Sequence, residues 1–212
     1  MSYCCYLAVD VGRALTQNWV MSVIYEATGR FRVEQGAISS GEGLSREAIK
    51  KCLDLARSFA PNSDGLVFLR DGDMPLNERR TLVDALRAYP QYQVVALVEV
   101  KKDTPHRIFR KSERIVKKPF SGDYYLLDDQ TIVLSTTGKD GGVGGTPRPL
   151  TLKVTVLMGN VNTQSVALDA YKLCHLNYGS PRKRYSLPAP LKIADELAYE
   201  LSLGVRRHGT PF

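Results

Sequence analysis

The chain has few of the residues from which zinc sites are usually built. Four cysteines and three histidines occur in 212 residues, and no two cysteines are spaced as a CxxC pair. We therefore expect no zinc site, and we expect buried, reduced thiols. No apolar run is long enough to span a bilayer, and the N-terminus lacks the basic-then-apolar pattern of a secretory signal. These absences predict a cytoplasmic protein.

Acidic residues are outnumbered by basic ones. The chain carries 29 lysines and arginines against 22 aspartates and glutamates, for a net charge of +7 and an isoelectric point near 9.2. Eight of the basic residues lie between Lys101 and Lys118, where there are two acids, and a second cluster spans Arg182 to Arg184. Such blocks are often solvated faces, but two of them in a basic chain favour a nucleic-acid partner.

The pattern of apolar segments predicts one α/β domain covering residues 1–212. A central strand at 3–9 is followed by a hairpin of strands at 18–25 and 30–35, and by a helix from the N-cap Ser45 to about residue 59. The remaining predicted strands are 65–69, 93–100, 123–127, 131–135 and 150–157, and the remaining predicted helices are about 77–89, 163–177 and 191–206. This alternation favours a mixed sheet flanked by helices.

Three aspartates occupy places where a divalent metal site could form. Asp10 and Asp71 each follow an apolar run that we interpret as a buried strand ending there, and Asp195 lies in an amphipathic segment. Each alone is better explained as a turn or surface residue. Together they suggest a site for two Mg²⁺ or Mn²⁺ ions, because these hard cations need oxygen ligands from several elements and activate water for phosphodiester cleavage.

Several segments resemble, in order, those of the Piwi domain of Argonaute proteins. They are LAVDVGR, FLRDGDMPLNE, VALVEVKKDTPHRIFR, GDYYLLDDQTIVLSTT, GGTPRP and KLCHLNYGSPRKRYSLPAPLKIADELA. The resemblance covers nearly the whole chain and is most specific in the RDG, GTxRP and LPAPLxxA segments. It implies an RNase H-like fold and an endonuclease that cleaves a target strand paired to a small nucleic-acid guide.

The resemblance also implies a site of four residues. Asp10 matches the aspartate of the first strand, Asp71 that of the RDG motif, and Asp195 the last position, where relatives carry aspartate or histidine. The fourth is a glutamate on a loop before the first helix. We assign it to Glu42, which lies among glycines, with Glu47 as the alternative, since an acid there could simply favour the helix N-terminus.

Contacts with nucleic acid are expected from basic residues near these aspartates. The residues assigned to them are Arg13, Lys101, Lys102, Arg107, Arg110 and Arg182. The family further implies that the C-terminus reaches toward the 5′ end of the guide, which assigns Phe212 and its carboxylate to that contact. Each basic residue could instead lie on an ordinary solvated surface.

Relatives also carry a Mid domain, which holds the guide 5′ end, and often a PAZ domain. Neither fits in this length, so we expect either an excised domain or a chain that works with a Mid-containing partner. Two other functions stay open: a Piwi module that binds guide and target without cleaving, and an actin-like phosphotransferase. The phosphotransferase is less favoured, because its duplicated architecture needs a longer chain.

Overall fold

A computed structural model gives the fold of most of the chain. The residues it describes are 5–13, 18–26, 28–35, 43–112, 114–136, 148–176 and 186–203. Within these ranges, none of the helices is long and apolar enough to cross a membrane.

Eight strands form one mixed sheet. Its strands are β1 (Cys5–Arg13), β2 (Asn18–Glu26), β3 (Phe31–Gln35), β4 (Gly65–Asp71), β5 (Val94–Lys101), β8 (Tyr124–Leu126), β9 (Thr131–Leu134) and β10 (Leu150–Met158). Their order across the sheet is β3-β2-β1-β4-β5-β10-β9-β8. The central strands β1, β4 and β5 are parallel, whereas β2 and β3 on one side and β10, β9 and β8 on the other pair antiparallel. This is the mixed sheet that the sequence predicts.

Four helices cover the two faces of the sheet. They are α1 (Arg46–Phe59), α2 (Leu76–Leu86), α3 (Thr163–Leu173) and α4 (Ala189–Ser202). One core packs α1 and α2 against one face, and a second core packs α3 and α4 against the other. The central strands are apolar on both faces, as expected for parallel strands between helical layers. The result is a three-layer α/β/α arrangement.

The helix ends follow local sequence signals. The Ser45 hydroxyl accepts a hydrogen bond from the Ala48 N–H at 3.1 Å, which confirms Ser45 as the N-cap of α1. α4 begins at Ala189, two residues before the predicted start, because a proline in its first turn costs the helix no internal hydrogen bond. α2 begins at Leu76 and ends at Leu86, short of the predicted residue 89.

Two parts of the sequence interpretation are wrong. Asp10 does not end its strand: β1 continues to Arg13, because β2 pairs with it along its whole length, from Cys5↔Glu26 to Arg13↔Asn18. The basic block after β5, where no strand is predicted from the sequence, contains a two-stranded hairpin of β6 (Arg110–Ser112) and β7 (Ile115–Lys117). The three β7 side chains are exposed, so this hairpin gives no alternation of buried and exposed residues by which it could be predicted.

Candidate metal centre

Side-chain alternation brings Asp10 and Asp71 to the sheet face covered by α4. In β1, Tyr6 and Ala8 belong to the core beneath α3 and α4, and Asp10 follows with the same period of two. In β4, Val67 and Leu69 belong to that core, and Asp71 continues their row. Because β1 and β4 are adjacent and parallel, the two aspartates become neighbours.

A close approach of α4 to β1 brings in the third aspartate. A Cβ atom on Gly12 would lie 2.6 Å from the Ala198 carbonyl oxygen and 2.9 Å from the Ala198 Cβ. Glycine therefore lets the helix pack almost directly on the strand backbone. Asp195 lies three residues before Ala198, about one helical turn, which places it above the strand near Asp10.

The three carboxylates converge. One oxygen from each of Asp10, Asp71 and Asp195 lies within 4.8 Å of the other two. Their side chains are 15%, 19% and 30% exposed, respectively. Opposite ligands of an octahedral Mg²⁺ lie about 4.2 Å apart, so the spacing of these oxygens is close to that of ligands around one ion of this class. An all-oxygen donor set fits Mg²⁺ or Mn²⁺ and does not select between them.

A lysine ammonium lies between two of these carboxylates. Lys102 Nζ is 2.6 Å from Asp71 Oδ2 and 2.7 Å from Asp195 Oδ1. Lys192 Nζ lies 3.3 Å from the other oxygen of Asp195, and Arg70 Nη1 lies 3.9 Å from Asp10 Oδ1. The negative charge of the three aspartates is thus compensated by cations of the chain itself.

The surroundings shift the pKa values of Asp10, Asp195 and Lys102. Burial, then the nearby Asp71 carboxylate, raises the pKa of Asp10, against weaker opposing contributions from the Val11 N–H and Arg70. Burial works against the charge of Asp195, but its contacts with Lys102 and Lys192 outweigh this and lower its pKa. Burial likewise opposes the charge of Lys102, yet its hydrogen bonds to the two aspartates raise its pKa. The charge of Asp10 is therefore disfavoured in the metal-free fold, whereas that of Asp195 is favoured.

A buried ion pair fixes the turn that follows Asp71. Gly72 adopts φ +74°, a left-handed conformation that favours glycine, and its N–H donates to the Val100 carbonyl at 2.9 Å. The Glu99 carboxylate, 1% exposed, accepts a hydrogen bond from the Met74 N–H at 2.6 Å and is 3.1 Å from Arg79 Nη2. These contacts hold the backbone on the C-terminal side of Asp71 in place.

The fourth acidic position is assigned from the sequence to Glu42, with Glu47 as the alternative. Glu42 lies outside the described residues. The alternative, Glu47, lies in the first turn of α1, where its carboxylate is 73% exposed and 3.1 Å from Lys51 Nζ. Glu47 is therefore an ordinary helix N-terminal acid in this structure, and the assignment of Glu42 stays a prediction.

The other predicted contact residues divide into two groups. Arg182, Phe212 and the side chain of Arg13 lie outside the described part of the chain. The remaining four are Lys101, Lys102, Arg107 and Arg110, and all are described. Their role in binding nucleic acid stays a prediction, but their internal contacts differ.

Three of those four side chains lie near carboxylates. Lys101 Nζ is 2.7 Å from Asp73 Oδ1, and Lys102 bridges two aspartates of the candidate centre. The Arg110 guanidinium stacks over the Phe120 ring at 3.8 Å, with its Nε 3.7 Å from Asp123 Oδ2. Arg107, by contrast, is exposed and donates to the Thr104 and His106 backbone carbonyls. Arg107 is thus the residue of this set that has no carboxylate partner in the described ranges.

Comparisons with known proteins identify relatives of the chain. The sequence profile of the Piwi domain matches residues 12–205 of the chain. The argonaute protein of Thermus thermophilus is 34% identical to the chain over 174 residues. That match covers 79% of this chain and 24% of the relative, so the chain spans about a quarter of the relative's length.

Solved Argonaute structures share the fold. Clostridium butyricum Argonaute bound to a guide DNA and a 19-mer target DNA superposes with a TM-score of 0.77 at 21% identity, over 93% of this chain and 26% of that one. Aquifex aeolicus Argonaute gives 0.76 at 20% identity, over 99% and 29%. Marinitoga piezophila Argonaute in complex with a 5′-OH guide RNA gives 0.66 at 16% identity, over 95% and 31%.

Proposed function

This chain belongs to the Piwi domain family, and we propose that it is the nuclease module of an Argonaute-like protein, cleaving a target strand paired to a nucleic-acid guide. The observation that carries the proposal is the convergence of the Asp10, Asp71 and Asp195 carboxylates to within 4.8 Å. The three residues come from two adjacent strands and a helix far away in sequence, and their carboxylates supply the hard oxygen ligands that a divalent cation of this class prefers.

The centre can perform hydrolysis only with divalent cations. When bound, Mg²⁺ or Mn²⁺ would supply an activated water and neutralise the charge that builds on the phosphate and leaving oxygens. Asp10, Asp71 and Asp195 would hold the ions. The Glu99–Arg79 pair keeps the turn after Asp71 fixed, and the close contact at Gly12 keeps α4 in place. Positioning of this kind matters, because ligand displacements of a few tenths of an ångström weaken metal binding.

Nucleic acid is the partner that the charge favours. The chain carries a net charge of +7. The lining of a shallow cleft of about 300 Å³ beyond the end of β5 includes the exposed side chains of Arg107, Phe109 and Tyr125. Arginine and aromatic side chains together suit phosphate contacts and base or sugar packing. Solved neighbours were bound to guide DNA with target DNA and to guide RNA, so we leave the sugar of guide and target open.

A further part is proposed for guide binding. The chain matches about a quarter of the length of its relatives, so the remaining functions of an Argonaute would come from other regions or from a partner chain with a Mid domain. We propose that such a part binds the guide 5′ end, and that this module binds the duplex and cuts the target strand. We also propose a cytoplasmic location, from the sequence alone.

The test is cleavage of a labelled target strand annealed to a 5′-phosphorylated guide, with Mg²⁺ or Mn²⁺, by the chain combined with a Mid-containing partner. Asp71→Asn should lose at least about 10²-fold in rate, because it removes a charged metal ligand. Asp73→Asn is the matched control: its carboxylate lies two residues away, is 66% exposed and pairs with Lys101. Equal cutting by wild type and Asp71→Asn would reject the proposed centre.

A second candidate function, a module that binds guide and target without cleaving, is favoured by one observation. Within the described residues, three carboxylates form the centre, and the alternative fourth acid, Glu47, pairs with Lys51 at the surface. Duplex binding that resembles that of other Argonautes, with no metal-dependent cutting by the wild-type chain, would identify this function.

A further inference from the structure

Lys102 holds a place that a metal ion would also need. Its ammonium nitrogen lies 2.6 Å from Asp71 Oδ2 and 2.7 Å from Asp195 Oδ1, and its side chain is 38% exposed. A cation that contacts two ligands of a three-carboxylate group is a chemical substitute for part of a divalent ion. The same side chain cannot keep both contacts while those oxygens face a metal.

The position of Lys102 follows from the fold rather than from chance contact at the surface. Val98 and Val100 of β5 belong to the core beneath α4, and Lys102 follows them with the same period of two, just after the strand ends. Asp71 pairs with Val100 in the neighbouring strand. The register of β4 and β5 therefore places Lys102 beside Asp71 and beneath Asp195.

Charge balance explains why a cation is needed there without metal. Three carboxylates within 4.8 Å repel one another, and burial adds to the cost of their charge. Lys192 and Arg70 each contact one aspartate, at 3.3 Å and 3.9 Å, whereas Lys102 joins two at shorter distances. Lys102 is thus the strongest internal compensation that these contacts provide.

We propose that Lys102 is an internal competitor of the metal: it holds the aspartates together in the metal-free protein and must leave Asp71 and Asp195 before a divalent ion can bind them. This inference rests on the proposed metal centre and adds to it a residue that sets its affinity. Lys102 lowers affinity in the free protein, so the centre loads fully only where another anion attracts the displaced ammonium. A phosphate of a bound nucleic-acid duplex is an anion of that kind, which couples metal loading to substrate binding.

The proposal is tested by titrating the whole chain with Mn²⁺ in the absence of nucleic acid. Binding is measured by calorimetry and by the electron paramagnetic resonance signal of free Mn²⁺. Lys102→Met removes the ammonium and keeps most of the side-chain length. We expect Mn²⁺ to bind on the order of tenfold more tightly, the scale on which groups next to metal ligands change affinity. Lys51→Met is the control for the loss of one positive charge, because Lys51 pairs with a carboxylate on the surface of α1.

Two further variants keep the test decisive. Lys102→Arg retains the charge and should keep the weak Mn²⁺ affinity of wild type, and Lys102→Gln should bind tightly if the methionine variant fails to fold. Thermal unfolding gives a second readout: metal-free Lys102→Met should unfold at a lower temperature than wild type, and Mn²⁺ should raise its unfolding temperature by more. If Lys102 had only a structural role, the metal-free Lys102→Met variant would unfold at a lower temperature but would not bind Mn²⁺ more tightly.

The outcomes separate this inference from the proposed function. Unchanged or weaker Mn²⁺ affinity in both neutral variants, with binding that still depends on Asp71, would overturn the role of Lys102 and leave the metal centre intact. Mn²⁺ binding that is insensitive to Asp71→Asn in both the wild-type and the Lys102→Met background would overturn the centre itself.

Discussion

Replacement of Gly12 by alanine tests how the candidate centre is assembled. The added Cβ would lie 2.6 Å from the carbonyl oxygen and 2.9 Å from the Cβ of Ala198 in α4. Neither atom belongs to a flexible side chain, so relief has to come from movement of the helix or the strand. To bring the carbonyl oxygen out to 3.4 Å, where ordinary contact begins, the two elements must separate by about 0.8 Å.

The expected loss of stability is moderate. Overpacking of this kind costs about 1–3 kcal/mol, and the lower entropy of an unfolded chain with alanine offsets about 0.5–1 kcal/mol. A net loss of about 1–2 kcal/mol lowers the unfolding temperature of a domain of this size by about 2–8 °C. The effect on the centre should be larger, because Asp195 lies one turn from the contact and a ligand tolerates displacement of about 0.2 Å.

Thermal unfolding and Mn²⁺ calorimetry measure the two effects separately. Gly29→Ala is the matched control: it also strains the backbone, at φ +93°, but its nearest neighbour is 3.8 Å away and it lies in the β2–β3 turn. Gly29→Ala should lower the unfolding temperature and leave Mn²⁺ affinity unchanged, whereas Gly12→Ala should weaken Mn²⁺ binding by about tenfold or more. Wild-type stability and affinity in Gly12→Ala would refute the reasoning.

Three other substitutions test separate parts of the structure. Asp10→Asn should stabilise the metal-free protein by on the order of 1 kcal/mol, because burial raises the pKa of Asp10 and disfavours its charge at neutral pH. The same substitution should abolish stabilisation by Mn²⁺, because it removes a proposed ligand. A lower unfolding temperature of the metal-free variant would contradict this reasoning. Arg107→Ala should weaken duplex binding, measured by fluorescence anisotropy, and should reduce the slope of log affinity against log salt concentration by about one unit. Arg110→Ala should change both by less, because the Arg110 guanidinium stacks on Phe120 within the protein. Glu99→Ala should lower the free energy of unfolding in urea by about 2–4 kcal/mol, because it removes the buried acceptor of Arg79 and of the Met74 N–H. Replacement of the exposed Glu47 by alanine should lower it by less than about 0.5 kcal/mol. Equal losses in the two variants would rule out the role of the buried pair.

The sequence predicts most of the architecture because its signals are local and repeated. Apolar runs give the central strands, Ser45 marks the start of α1, and the turn at Asp128 and Asp129 joins the predicted hairpin of β8 and β9. The β6–β7 hairpin carries no such signal, since its exposed side chains and basic residues look like a solvated loop. The close contact at Gly12 could not be predicted either, because one glycine among seventeen does not reveal which helix it faces.

The position of Lys102 shows what pairwise register adds to a sequence pattern. In the sequence it is one of eight basic residues between 101 and 118, and all eight are equally compatible with contact to phosphate. Alternation from Val98 and Val100 puts Lys102 on the α4 face, but the residue lies one position past the end of β5, where alternation no longer holds by itself. Only the pairing of Asp71 with Val100, and the arrival of α4 over both strands, bring its ammonium between two carboxylates. The sequence alone presents this lysine as one of several surface charges, whereas in the fold it contacts two aspartates of the candidate metal centre, because long-range packing decides which carboxylates it meets.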